Sequence, residues 1–69
     1  MSAATDLLGR SEEDARVLVI GADLLSEHGE NPEYDRAIVE MATRLLGLDS
    51  DSYTDVLAAM RILNPVVAP

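Results

Sequence analysis

Residues 11–29 read SEEDARVLVIGADLLSEHG, and this stretch decides the fold. Ser11 offers a hydroxyl to an orphan backbone N–H, and Glu12, Glu13 and Asp14 place carboxylates in the first turn, where they complement the positive end of a helix dipole. Gly29, just after His28, supplies the stop. At 100° per residue Glu12, Arg16, Asp23 and Glu27 gather in one narrow polar strip, while Val17, Leu18, Val19, Ile20, Ala22, Leu24 and Leu25 spread over roughly 260°. One neighbouring helix cannot cover so wide an arc. The pattern predicts a central helix over 12–28, covered by the other helices and by a second chain.

Two further helices follow outward from it. Asn31 then Pro32 is a cap followed by a first-turn proline, whose missing N–H is not needed there, and Gly47 is the stop, so a helix is expected over 32–46. Tyr34, Ile38, Met41, Leu45 and Leu48 recur at spacings of four and three, which predicts an inward seam flanked by Ala37 and Ala42; Arg36, Glu40 and Arg44 fall on the opposite side. The polar run Asp49, Ser50, Asp51, Ser52 makes a turn, with Ser52 and Asp55 in the form of a capping box. A third helix is expected over 53–63, with Tyr53, Val56, Leu57, Met60 and Leu63 inside, Ile62 outside, and Asn64-Pro65 ending it. The first two apolar patterns of these helices match at an offset of 19 residues (Tyr34, Ala37, Ile38, Met41 against Tyr53, Val56, Leu57, Met60), a spacing any two amphipathic helices share.

The expected architecture is all-α, a small three-helix bundle with room for a short extra turn near 5–8. Residues 1–10 read as a flexible N-terminus, 11–64 as one helical domain and 65–69 as an apolar tail. Composition agrees: with 48% hydrophobic residues but only two aromatics, both Tyr, the core must be aliphatic, which suits helix packing. A 69-residue chain without Cys has no disulfide and no thiolate zinc site to reinforce a small core, so self-association is the remaining common route to stability.

Charge narrows the function. Thirteen carboxylates face five arginines, a formal net charge of -8, and no basic stripe exists to neutralise phosphate, which argues against direct contact with nucleic acid or an anionic membrane. The chain shows no signal-peptide pattern and no long apolar span, so a cytoplasmic location is expected. Arg as the sole strong cation, beside abundant Ala, Val and Leu, suits a GC-rich bacterial or phage genome.

Candidate chemistry is sparse. Asp49, Asp51 and Asp55 open like a calcium loop, but Tyr53, Thr54 and Met60 stand where such a loop needs its third ligand, its glycine and its final carboxylate, so capping and a candidate acidic surface are expected in place of a metal. Asp49-Ser50 at a helix start resembles the carrier-serine site of acyl carrier proteins, and the resemblance would make Ser50 a phosphopantetheine attachment point. It covers only these few residues: Asp51 stands where that family has Leu, and 19 residues follow Ser50, too few for the family's remaining helices. His28 has neither a nucleophile pattern nor a second ligand beside it in sequence. No catalytic, cofactor-binding or metal residue is therefore assigned.

The reading that remains is a small acidic helical protein, non-enzymatic, acting as a protein-binding regulator or assembly factor and forming a homodimer. Val19, Ile62, Val66 and Val67 have no home in an isolated bundle and are the candidate interface. The first alternative is an acidic inhibitor, a phage-encoded mimic of DNA that fills a basic groove on a nucleic-acid enzyme. The second is a regulator of helix-turn-helix shape, opposed by the acidic turn before residues 53–55.

Overall fold

A computed structural model describes residues 3–28 and 31–63. Among these residues lie four α-helices, α1 (Ala3–Leu8), α2 (Glu12–Glu27), α3 (Pro32–Leu45) and α4 (Tyr53–Leu63), with a 3₁₀ turn, Ser50–Ser52, leading into α4. The protein is a small all-α bundle, as composition and period required. The apolar tail, with Val66 and Val67, lies outside the described residues.

Local chemistry sets the helix boundaries. The Ser11 hydroxyl accepts the Asp14 N–H at 3.1 Å, and the Asn31 side-chain oxygen accepts the Glu33 N–H at 3.1 Å, each satisfying one donor that the first turn leaves free. α3 ends in a Schellman turn: Gly47 has a φ of 73°, its N–H donates to the Arg44 carbonyl at 2.9 Å, and the Leu48 N–H donates to the Thr43 carbonyl at 3.0 Å. Arg10 reinforces this end from outside by donating to the Leu46 carbonyl at 3.5 Å while its guanidinium sits 3.3 Å from Asp14. The expected capping box at Ser52 is replaced by the 3₁₀ turn, in which the Ser52 N–H donates to the Asp49 carbonyl at 2.9 Å and the Asp49 side chain makes no cap bond.

The N-terminal stretch is more than a turn. α1 runs over six residues and inserts Ala4 and Leu7 into the core, where the sequence suggested a flexible segment with a turn near 5–8. A short helix stays folded here because α2 and α4 both cover it. α2 touches α1, α3 and α4, which fits its broad apolar arc, yet α4 shares the centre: it packs on α1, α2 and α3 and buries Val56, Ala59 and Met60 completely. Leu63, expected inside, remains partly exposed at the end of α4.

The clearest departure from the sequence reading is the rotation of α3. Its buried residues are Val39, Ala42 and Thr43, with Leu46 buried at its C-cap; of the expected seam, Tyr34, Met41 and Leu45 face solvent, Ile38 is half-buried at the boundary, and Leu48, beyond the helix end, packs partly against the core, while of the expected flanks Ala42 is buried and Ala37 exposed. The two faces differ by roughly 120° at 100° per residue. α3 is apolar across both, and only the part that meets α2 and α4 can be covered within one chain. The Thr43 hydroxyl is accommodated inside by donating to the Val39 carbonyl at 2.7 Å.

The core is built from small side chains. Its buried apolar members are Ala4, Leu7, Leu18, Ala22, Val39, Ala42, Leu46, Val56, Ala59 and Met60, so four of these ten are Ala. Leu18, Val39, Val56 and Met60 are the largest fully buried side chains, each worth about 1.5–3 kcal/mol relative to exposure. The four alanines let the helices approach closely, and several larger apolar side chains, among them Ile20, Met41 and Leu45, are left at the surface.

Candidate functional site

Several exposed apolar side chains outside the core stand on the α2–α3 hairpin. On α2, the exposed Ile20 and Leu24 share a flank with Val17, which is half-buried against the core; on α3, Tyr34, Ile38, Met41 and Leu45 share another. Two contacts bring these flanks side by side. A Cβ added at Gly21 would lie 3.8 Å from Ile38 Cγ2, and the His28 and Tyr34 rings stand 5.3 Å apart, so the antiparallel helices are in register from the connecting loop to mid-helix. The exposures are large: Ile20 60%, Tyr34 56%, Met41 64% and Leu45 65%. Single exposed aliphatics are ordinary, whereas a contiguous set on two adjacent helices is the usual mark of an interaction surface.

The residues singled out in the sequence do not converge on this face. Val19, 44% exposed, lies about 140° around α2 from Leu24 at 100° per residue. Ile62, 54% exposed, stands on α4, which packs beneath the hairpin and on the opposite side from its outer face. Both are exposed, but on separate helices. Asp49 and Asp51 are exposed around the 3₁₀ turn and Asp55 is half-buried on α4. Among the described residues no three His, Asp or Glu side chains converge as a metal site would require. His28 is exposed, with its ring inclined at 41° to Tyr34.

An open groove of about 400 Å³ lies between α3 and the start of α4, lined by Arg36, Glu40, Thr43, Arg44, Leu48, Ser50 and Tyr53. Arg36 approaches Glu40 at 3.8 Å, and the Thr43 hydroxyl is engaged with its own helix. Arg44 and the hydroxyls of Ser50 and Tyr53 give the groove polar edges, but its lining residues include no His or Cys to pair with Ser50 as base or partner nucleophile. Ser50 is exposed and begins the 3₁₀ turn that leads into α4.

The signal for the hairpin face was present in the sequence, in the 4-3-4 spacing of Tyr34, Ile38, Met41 and Leu45, but periodicity gives a face without saying whether it turns in or out. Among the described residues no helix is long and apolar enough to cross a membrane. No family model, no curated protein and no solved structure matches the chain.

Proposed function

We propose that this chain is a non-enzymatic, protein-binding regulator or assembly factor. One observation carries the reading: Ala fills four of the ten buried apolar positions (4, 22, 42 and 59) while the larger Ile20, Tyr34, Met41 and Leu45 lie exposed. A chain this short gains more from burying large aliphatics than Ala, so the arrangement makes sense where the outside is covered by protein. The outer hairpin face is the main binding surface; Val19 and Ile62, on other flanks, are available to a further partner.

The acidic-inhibitor reading rests on a different surface. Asp49 and Asp51 are exposed, and a net charge of -8 would attract a basic groove at long range. The helix-turn-helix alternative has less support, since α4, which would be the reading helix, is packed against all three other helices. Affinity capture with the immobilised chain, followed by reconstitution with the purified partner, tests the reading. Binding that persists in 1 M salt and weakens in Val19→Glu/Ile62→Glu or Met41→Glu/Leu45→Glu variants is expected; binding lost at moderate salt and untouched by these variants points to charge mimicry.

A further inference from the structure

We propose that the groove between α3 and the start of α4 is a binding site for a small monocarboxylate, a molecule that carries one carboxylate on an aliphatic or aromatic body. The groove shares no residue with the exposed apolar set on the hairpin, so its ligand is independent of a protein partner there. Its volume of about 400 Å³ falls in the lower part of the range of small-molecule sites, about 300–1,000 Å³.

The lining supplies donors that nothing else uses. Arg36 and Arg44, two of the five arginines in a chain of net charge -8, both border the groove. Arg36 is engaged by Glu40 at 3.8 Å, whereas the Arg44 guanidinium makes no ion pair or hydrogen bond to a described residue. The same holds for the side-chain hydroxyls of Ser50 and Tyr53. A forked guanidinium with two hydroxyl donors matches the acceptor-only oxygens of a carboxylate. The helix ends on either side agree with this. The carbonyls at the end of α3 already accept the Gly47 and Leu48 N–H groups, and the groove opens at the N-terminus of α4, the positive end of that helix.

Charge selects a monoanion. Against the two guanidinium groups stands the Glu40 carboxylate, so the lining carries a single positive charge, and the exposed Asp49 and Asp51 flank Ser50. One carboxylate neutralises such a site; a phosphate dianion would leave it negative within a chain that is already strongly acidic. The body of the ligand has its own surface. Leu48 and Tyr53 are half-buried and packed against the core, which fixes an aliphatic and an aromatic wall beside the donors. The Thr43 hydroxyl is committed to the Val39 carbonyl and adds no polar group to that wall.

Titration of the full chain with benzoate and with hexanoate, followed by amide chemical shifts, is the test. Benzamide serves as the neutral isostere and phenyl phosphate as the dianion. Saturable shifts centred on Arg44, Leu48, Ser50 and Tyr53 are expected with at least one of the two carboxylates. Arg44→Gln and the exchange of benzoate for benzamide should each weaken binding by about ten-fold or more, the scale of one charge-assisted pair. Arg44 is exposed, so the helical circular dichroism and thermal midpoint of that variant should stay near those of the wild type. Glu40→Gln should tighten binding, because it removes a like charge and releases Arg36. The assignment is overturned by failure of both carboxylates to saturate, by shifts centred elsewhere, or by an Arg44→Gln variant that binds as the wild type does. Phenyl phosphate binding more tightly than benzoate would overturn the choice of a monocarboxylate.

Discussion

Met60 lies directly over Gly21: a Cβ at Gly21 would overlap the Met60 terminal methyl and stand 3.2 Å from its sulfur. α2 and α4 cross where one helix has no side chain and the other has a fully buried, flexible one. A glycine in the middle of a helix, unfavourable by propensity, is thereby explained by the close crossing it permits.

Gly21→Ala should lower stability by about 1 kcal/mol, although the same change in an open helix would raise it by a similar amount. In a Met60→Leu background, where the long thioether is gone, the penalty should shrink or reverse. Thermal denaturation followed by circular dichroism gives the double-mutant cycle. A Gly21→Ala variant more stable than wild type would show that Met60 moves aside freely and that the crossing is loose.

The rotation of α3 separates two neighbouring residues sharply. Val39 is fully buried and Met41 largely exposed, so Val39→Ala should cost about 2 kcal/mol, whereas Met41→Ala should cost less than about 0.5 kcal/mol in dilute protein. Urea titration at low and high protein concentration measures both. If the Met41 variant proved the more destabilised of the two in dilute protein, the seam expected from periodicity would be the inner face after all.

Gly47 should resist replacement for backbone reasons alone. Its φ of 73° lies in the left-handed region, and no atom lies within 4 Å of a Cβ built there, so Gly47→Ala meets no clash. It should nevertheless cost about 1 kcal/mol, and Gly47→Asn less, since Asn tolerates this conformation better. Equal stabilities for the three chains, measured by urea denaturation, would argue against the Schellman ending of α3.

Arg10 ties the α1–α2 junction to the far end of α3 through Asp14 and the Leu46 carbonyl. Arg10→Ala should cost about 1 kcal/mol, because the ion pair is half in water and only the carbonyl contact spans distant parts of the chain. Arg10→Lys should recover part of the loss through Asp14 but lacks the second, forked donor for Leu46. Amide exchange at Gly47 and Leu48 would report the loosened helix end; unaltered exchange in Arg10→Ala would show that the contact is incidental.

Much of the local structure was determined by the sequence alone. Ser11, Asn31-Pro32 and Gly47 mark helix ends through hydrogen bonds made within a few residues, and such bonds depend on little beyond their own neighbours. The all-α class followed from aliphatic composition and period. What only the tertiary structure decided was which face of each helix is inside. α2 and α3 are apolar over more of their circumference than one chain can cover, so periodicity defined several admissible faces; close packing at Gly21, Ala22, Ala42 and Ala59 selected the small-residue ones, and α1 docked Leu7 where the sequence alone suggested a loose end. The hairpin face became visible only then, because a surface shared by two helices is set by their packing, and no spacing within either helix specifies it.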